Sequence, residues 1–391
     1  MDFLSQDIVT IVDCGIIGKK KHRFPNLASM KLSSYHKSLG KNVILATSWD
    51  SIDFNNPVFI SKVFTDTHVP EWIFEFDTVE FGGTGFFYDK APPLPYEIEH
   101  SIPDYHLYDS WIEQNGGGSE FKYYTDYSIG FLTRGCFRKC PFCVNKNSSG
   151  SIPHSPVSEF YDKARPKLCF LDDNFFACSQ RKEIISDVLS YNIPFQFKQG
   201  LDERLLNPDV VLDMMGWKYD GNLIFAYDNI EDTGIIQHKL DMMYALAPHL
   251  VSKSKFYILC GFDKHDKYDD DFWIQDIWDI FQRVYLLAQY GALPYIMRFE
   301  KSYESKYKEL YSQIAAWCNQ PGFLRNETFE KFCQKRGMSS KIYHQYKNDP
   351  ELYIQHGHNP GISWKCMQDF IDSHPRFEPL FNQVWNKFKK P

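Results

Sequence analysis

The first third of the chain alternates short apolar runs with amphipathic stretches, which predicts strands separated by helices. Residues 26–40 place Leu27, Met30, Leu32 and Tyr35 on one side of a helix that Gly40 closes. The apolar runs predict four strands, over residues 7–14, 42–47, 57–64 and 78–83. Strands separated by helices pair in parallel, so we expect an α/β fold with a doubly wound, Rossmann-like sheet.

A second alternation of strands and helices begins near residue 127. It predicts six further strands, over residues 127–135, 167–173, 194–200, 222–228, 255–262 and 293–299. Crossovers of this length predict a partial (β/α)6 barrel of the TIM type, in which chemistry gathers at the C-terminal ends of the strands. From about residue 301 the pattern is helical. We therefore predict a Rossmann-like domain with its linker over residues 1–126, a barrel over 127–300 and a helical region over 301–391.

Composition and charge narrow the classes of function. The net charge of −7 argues against a broad, non-specific grip on nucleic acid, although a local basic patch is still allowed. The chain begins without a signal-peptide pattern, and no window of 18 apolar residues predicts a membrane span. The ten cysteines are irregularly spaced, which favours buried thiols and metal ligands over a disulfide framework. We expect a cytoplasmic protein with no membrane partner.

Three cysteines within eight residues are the strongest chemical signal in the chain. The stretch GFLTRGCFRKCPFCVNK, residues 130–146, holds Cys136, Cys140 and Cys143 in the spacing Cys-x3-Cys-x2-Cys. Structural zinc normally takes four ligands, and no fourth Cys or His follows within ten residues. Three thiolates leave an open coordination position, as in a 4Fe–4S cluster with one free iron. A zinc knuckle completed by a distant residue and three unrelated core thiols are the alternatives.

The sequence CFRKCPFC resembles the signature of radical S-adenosylmethionine (SAM) enzymes, with Phe142 at its aromatic position. The resemblance implies that Cys136, Cys140 and Cys143 hold the cluster and that its open iron binds the amino and carboxylate groups of SAM. One electron, from a donor such as flavodoxin or ferredoxin, then cleaves SAM to methionine and a 5′-deoxyadenosyl radical. That radical abstracts a hydrogen atom from the substrate, while the protein supplies orientation and a dry cavity.

Motifs at the later strand ends resemble the branch of that superfamily with an N-terminal cobalamin-binding-type domain. The resemblance covers roughly residues 1–300 and implies polar contacts to SAM. They are Asp172, Asp173 and Asn174 after the second barrel strand, Gln199 and Arg204 after the third, Asp228 after the fourth, Gly261 after the fifth and Arg298 on the sixth. For each residue alone, a salt bridge or a helix cap is an equally good interpretation.

Cobalamin itself has weaker support in the sequence. The cobalamin-binding fold uses Asp-x-His-x-x-Gly after its first strand, and the loop here contains His22 without the Asp or the Gly. The near match DTHVPE, residues 66–71, follows the third strand and ends in Glu71, so we interpret His68 as a loop histidine. Cobalamin held without a protein ligand stays open as an alternative.

Two features of the N-terminal domain suggest an anionic substrate. A basic run that includes Lys20 and His22 precedes a predicted helix, and a glycine-rich turn follows the fourth strand. The turn consists of Gly82, Gly83, Thr84 and Gly85. Both features lie at C-terminal strand ends, where such sheets bind ligands. They predict a small phosphorylated substrate such as a nucleotide, or a nucleic-acid base, with a solvated loop and a plain turn as the alternatives.

The leading hypothesis is therefore a radical SAM enzyme that abstracts hydrogen from a small phosphorylated molecule, a nucleotide or a nucleic-acid base. Cobalamin-dependent methyl transfer, methylthio transfer and a zinc-bound nucleic-acid adaptor without catalysis are the competing functions. Methylthio transfer would need a second cluster, but the wide spacing of Cys318, Cys333 and Cys366 predicts buried thiols instead.

Overall fold

The computed structural model describes residues 7–383, which form two compact units. The first contains the residues up to Gly200 together with Lys218–Asp220, and the second contains Leu201–Trp217 and the residues from Gly221 onwards. These divisions do not coincide with the predicted domain boundaries at residues 126 and 300, which stay predictions.

The first unit begins with a four-stranded parallel sheet in the order β2-β1-β3-β4. Its strands are β1 (Ile8–Asp13), β2 (Asn42–Ala46), β3 (Val58–Ser61) and β4 (Val79–Gly82). Helix α1, Leu27–Ser38, begins at Asn26, whose side chain accepts the backbone N–H of Ser29 at 3.3 Å. The four strands and the helix predicted here are confirmed. The order of strands reverses between β1 and β3, and ligands bind beside such a reversal in doubly wound sheets.

The first unit also holds a three-stranded parallel sheet, β5-β8-β9, and a short antiparallel hairpin. The sheet contains β5 (Tyr127–Gly130), β8 (Lys167–Phe170) and β9 (Phe195–Phe197), and the hairpin contains β6 (Thr133–Arg134) and β7 (Ile152–Pro153). The helices are α2 (Thr84–Phe87), α3 (Tyr96–Glu99), α4 (Asp109–Gln114), α5 (Lys122–Thr125) and α6 (Arg181–Ser190). All three sheet strands are buried, as near-continuous apolar runs in parallel sheets require.

The second unit holds another parallel sheet, β10-β11-β12, followed by a helical region. Its strands are β10 (Leu223–Ala226), β11 (Ser254–Cys260) and β12 (Leu293–Arg298). The helices up to β12 are α7 (Pro208–Met215), α8 (Thr233–Leu246), α9 (Pro248–Ser252) and α10 (Asp270–Tyr290). After β12 come α11 (Lys308–Cys318), α12 (Pro321–Asn326), α13 (Phe329–Arg336), α14 (Tyr343–Tyr346), α15 (Pro350–Gln355), α16 (Ile362–Ser373) and α17 (Glu378–Phe381).

All six predicted barrel strands are present, as two parallel sheets of three strands each. The mixed α/β class with parallel sheets is confirmed, while the closed arrangement of the six strands stays a prediction. Within residues 7–383, no helix has both the length and the apolar character that a membrane crossing requires.

Candidate active site

The three cysteines lie on one loop, which the hairpin β6–β7 closes just beyond the end of β5. Thr133 pairs with Pro153 across the hairpin, and all three thiols are partly exposed. Gly135 has a φ of +90°, and a Cβ there would lie 2.3 Å from the carbonyl oxygen of Gly150. The two arms of the loop therefore approach more closely than any side chain at position 135 allows.

Amide groups point at two of the three sulfur atoms. The backbone N–H of Arg138 donates to Cys136 Sγ at 3.3 Å, and that of Asn145 donates to Cys143 Sγ at 3.4 Å. Asn174 Nδ2 also donates to Cys136 Sγ, at 3.4 Å. Hydrogen bonds of this kind stabilise thiolates and tune iron–sulfur clusters. The donor set therefore fits a cluster held by three thiolates.

The geometry stops short of a formed metal site. Among residues 7–383, no group of three or more His, Cys, Asp or Glu side chains is arranged to hold a metal ion. The structure thus brings Cys136, Cys140 and Cys143 onto one loop without setting their sulfurs in a ligand geometry.

Most of the other cysteines are unsuited to metal binding because they are buried. Burial raises the pKa of Cys14 and of Cys169 to about 12. Cys318 and Cys333 are buried, as predicted, and burial raises the pKa of both thiols above the usual range. Cys366, predicted to be buried with them, is partly exposed, although its partial burial still raises its pKa to about 11. Thiols of this kind stay protonated at neutral pH, so they do not compete with the loop for a metal.

Asp172 and Asp173, which follow β8, anchor the arms of the cysteine loop. Asp172 Oδ1 accepts the backbone N–H of Thr133 at 2.7 Å and its hydroxyl at 2.6 Å, and Oδ2 accepts the N–H of Leu132 at 3.1 Å. Asp173 reaches both arms: Oδ2 accepts the N–H of Gly135 at 2.6 Å, and Oδ1 accepts Asn145 Nδ2 at 2.7 Å. These carboxylates position the loop, and their predicted contact with SAM stays a prediction.

Asp172 is also electrostatically unusual. Its side chain is fully buried, and the loss of hydration raises its pKa to about 7 despite the three donors that face it. A carboxyl group of this kind changes its charge near neutral pH, directly beneath the arm that leads to Cys136.

Gln199 and Phe142 are two further predicted residues of the first unit. Gln199 is exposed, and its Nε2 donates to the carbonyl oxygen of Leu171 at 3.3 Å. Phe142 is partly buried, and its carbonyl oxygen accepts the hydroxyl of Tyr88 at 2.7 Å. Sequence reasoning missed Tyr88, because its partner lies 54 residues away along the chain.

In the second unit, Arg204 is held among carboxylates. Its Nε donates to Asp202 Oδ1 at 2.8 Å, and its Nη1 donates to Asp232 Oδ2 at 3.0 Å. Glu203, which sequence reasoning missed, is buried beside it, and burial raises the pKa of Glu203 to about 8. Its Oε2 accepts the backbone N–H of Ala226 on β10 at 3.4 Å. The charged run Asp-Glu-Arg, close after a predicted strand, was the sequence feature that could have indicated Glu203 as a site residue.

A buried arginine organises the strand ends of the second unit. Arg283 Nη1 donates to the carbonyl oxygens of Tyr227, Asp228 and Leu259 at 3.1, 2.8 and 2.9 Å. The side chain of Asp228 loses hydration here, which raises its pKa to about 6. Sequence reasoning missed Arg283, because it lies in the middle of α10 and carries no motif.

Gly261 and Arg298 also lie at strand ends of this unit. The N–H of Gly261 donates to Asp276 Oδ2 at 2.7 Å, and the guanidinium of Arg298 lies 4.5 Å from the ring centroid of Tyr303. Their predicted contacts with SAM stay predictions.

In the N-terminal sheet, local packing accounts for much of the predicted anion site. His22 Nδ1 lies 2.8 Å from the carbonyl oxygen of Phe24 and 3.1 Å from the hydroxyl of Tyr124, while Lys20 is exposed. His22 is therefore anchored within the unit. The anion-binding role of Lys20 and His22 stays a prediction.

The glycine-rich turn packs on the chain just after β3. Gly83 has a φ of +105°, and a Cβ there would lie 2.4 Å from the carbonyl oxygen of Lys62. The N–H of Gly85 donates to that oxygen at 2.9 Å, and the Thr84 hydroxyl donates to the carbonyl oxygen of Val63 at 2.8 Å. Close packing therefore explains Gly83 and Gly85, whereas a Cβ on Gly82 would meet nothing within 4 Å. A contact of Gly82 or its neighbours with substrate stays a prediction.

Comparison with solved structures gives a distant likeness to the enzyme OxsB. No protein-family model matches the chain, and no curated protein matches it. A structure of the cobalamin-dependent S-adenosylmethionine radical enzyme OxsB with aqua-cobalamin bound matches at a TM-score of 0.30 and 13% identity, over 76% of this chain and 50% of that one. The apo, selenomethionine-labelled form of OxsB matches at a TM-score of 0.30 and 12% identity, over 99% of this chain and 65% of that one. The chain thus spans half to two thirds of the length of the structures that it matches.

Proposed function

We propose that the chain is a radical SAM enzyme whose cluster is held by Cys136, Cys140 and Cys143. The observation that supports this most directly is the loop itself, with three partly exposed thiols, amide donors to two sulfurs and no fourth cysteine. The fourth coordination position is left to SAM. When bound, the 4Fe–4S cluster supplies the electron that cleaves SAM and leaves a radical able to abstract hydrogen from a substrate.

Residues beside the loop anchor its backbone and donate hydrogen bonds to its thiolates. Asp172 and Asp173 fix the two arms of the loop, so the backbone on either side of the thiols is anchored before any metal arrives. Asn174 and the loop amides neutralise part of the thiolate charge.

The partial (β/α)6 barrel belongs to the same proposal, and the six parallel strands support it. The predicted SAM contacts of Arg204 and Asp228 are also part of the proposal, and both residues are polar groups held at strand ends. Hydrogen abstraction from a nucleotide, a nucleic-acid base or another small phosphorylated molecule is the substrate-level part of the proposal. An external electron donor, such as flavodoxin or ferredoxin, is its partner.

Anaerobic reconstitution with iron and sulfide tests the proposal. We expect about four iron atoms per chain, a reduced cluster signal in electron paramagnetic resonance that changes on addition of SAM, and 5′-deoxyadenosine when dithionite is the reductant. Cys140→Ala should abolish formation of 5′-deoxyadenosine, while Cys366→Ala, a partly exposed thiol of the helical region, should leave it unchanged. A chain that takes up one zinc and no iron, or a Cys140→Ala variant that still cleaves SAM at the wild-type rate, would contradict the proposal.

A further inference from the structure

A cavity of about 410 Å³ opens beside the C-terminal ends of β3 and β4. Its volume lies within the range typical of small-molecule sites, and its position is the ligand-binding edge of a doubly wound sheet. Its walls combine Lys62, Thr65, Asp66 and His68 from the chain after β3 with Phe74 and Phe86. A few convergent polar groups against aromatic rings are the usual composition of a ligand site.

Lys62 is the cation of this cavity, and its backbone is rigidly held. Its N–H donates to the carbonyl oxygen of Gly82 at 3.0 Å, and its own carbonyl accepts the N–H of Gly85. Its ammonium lies 5.4 Å from the centroid of the Phe86 ring and, among residues 7–383, makes no ion pair. A cation without a carboxylate partner is suited to an anionic group of a ligand.

The two aromatic rings provide an apolar wall. Phe74 and Phe86 meet edge to face with their centroids 5.9 Å apart, and Phe74 is 41% exposed. An exposed ring beside a cation favours a planar apolar group, which stacks on it or meets its edge.

The charges around the cavity limit the ligand to a small one. Glu71, Glu75, Asp77 and Glu80 are all exposed along the segment that supplies Phe74. This acidic surround disfavours a polyanion such as a nucleic acid, which needs several cations along its backbone. Asp66, inside the cavity, instead suits a neutral N–H or O–H donor of the ligand.

The cavity is connected to the cysteine loop through the chain after Phe86. Tyr88, at a positive φ of 49°, donates its hydroxyl to the carbonyl oxygen of Phe142. Asp89 Oδ2 pairs with Lys146 Nζ at 3.2 Å and accepts Asn147 Nδ2 at 3.1 Å. One wall of the cavity thus lies two residues from a direct contact with the loop that carries the three thiols.

We propose that this cavity binds a small ligand that joins one anionic group, held by Lys62, to a planar ring, held by Phe74 and Phe86. The site goes beyond the proposed radical chemistry and exists whether or not the loop carries a cluster. Adenosine 5′-monophosphate (AMP) is a probe with both parts, while adenosine and inorganic phosphate each carry one.

Calorimetric titration of the full, cluster-free chain with these three probes tests the site. We expect AMP to bind more tightly than either fragment, and Lys62→Met to weaken AMP roughly tenfold or more while leaving adenosine unchanged. Lys62→Arg should restore most of the affinity for AMP, and Phe74→Ala should weaken AMP and adenosine alike. Lys41→Ala, a lysine just before β2 at the opposite end of the sheet, is the matched control and should bind AMP as the wild type does.

Three results would overturn the proposal: no AMP binding at millimolar concentration, equal affinity in wild type and Lys62→Met, or equal loss in Lys62→Met and Lys41→Ala. Thermal unfolding of each variant separates loss of the site from loss of the fold. Because SAM and iron are absent from the titration, these results are independent of whether the chain cleaves SAM.

Discussion

Asp172→Asn removes a carboxyl group that is neutral in the folded protein over a pH range in which it would be charged in the unfolded chain. Burial raises the pKa of Asp172 from an ordinary value of 3.8 to about 7. The folded state therefore binds a proton more tightly than the unfolded state does. This difference in proton affinity stabilises the fold fully below the unfolded pKa, and the stabilisation is lost as pH rises through about 7. One unit of pKa corresponds to about 1.4 kcal/mol, so wild type should lose about 2.5 kcal/mol from this group between about pH 5 and pH 8.

The asparagine variant lacks this titration but keeps a side-chain oxygen that accepts from Thr133. We expect it to be less stable than wild type at about pH 5, and the difference to shrink or reverse at about pH 8. Guanidinium chloride unfolding of both proteins at the two pH values, followed by circular dichroism, measures the change. Asp50→Asn, at an exposed aspartate of the same unit, is the control and should give the same difference at both pH values. A difference between wild type and Asp172→Asn that is independent of pH would refute the reasoning.

Three further substitutions test other parts of the structure. Gly135→Ala should destabilise the cysteine loop by at least about 2 kcal/mol and lower iron uptake on reconstitution, whereas Gly150→Ala, whose Cβ would meet nothing within 4 Å, should do neither. Burial raises the pKa of Glu203 to about 8, so this group should cost wild type about 1.4 kcal/mol of stability per pH unit as pH rises from about 5 to 8. Glu203→Gln should lack this pH dependence, and unfolding at several pH values measures the difference. Arg204→Met leaves the buried carboxylate of Asp202 without its cation and should cost about 3–5 kcal/mol in urea unfolding, and a loss below 1 kcal/mol would show that the ion pair is worth little.

The strands were predictable because each is a short apolar run with a polar segment on both sides. The run over residues 7–14 became β1, and the six later runs became β5 and β8–β12. β1, β5, β8 and β9 are buried almost throughout, which leaves little choice of residue, whereas burial alternates along β10, β11 and β12. The cysteine spacing was equally local. It predicted a loop after the first strand of the second alternation, and the three thiols lie on such a loop.

The parts that escaped prediction depend on partners distant in sequence. Asp172 and Asp173 looked like ligand-binding residues. Nothing in the sequence around them indicates that their oxygens accept hydrogen bonds from backbone N–H groups at the cysteine loop, about 40 residues earlier. Arg283 gathers carbonyl oxygens from two strands, and a helical pattern cannot show which side chain will do so. The glycines of residues 82–85 suggested phosphate, whereas close approach of the chain after β3, above all the carbonyl oxygen of Lys62, is what requires Gly83 and Gly85.

The chain passes from one compact unit to the other at residue 200, returns for Lys218–Asp220, and leaves again at residue 221. That brief return supplies the edge of β9: Phe195 donates to the carbonyl oxygen of Lys218 at 3.0 Å, and Asp220 donates to that of Phe195 at 2.7 Å. A fragment ending at Gly200 would leave β9 with an unpaired edge and an exposed phenylalanine face. The segment Lys218–Asp220 that pairs with this edge would belong to the other fragment, which begins at Leu201. The two units are therefore not separable by a single cut, and gene fusion, limited proteolysis or recombination between relatives at this border should yield aggregating halves.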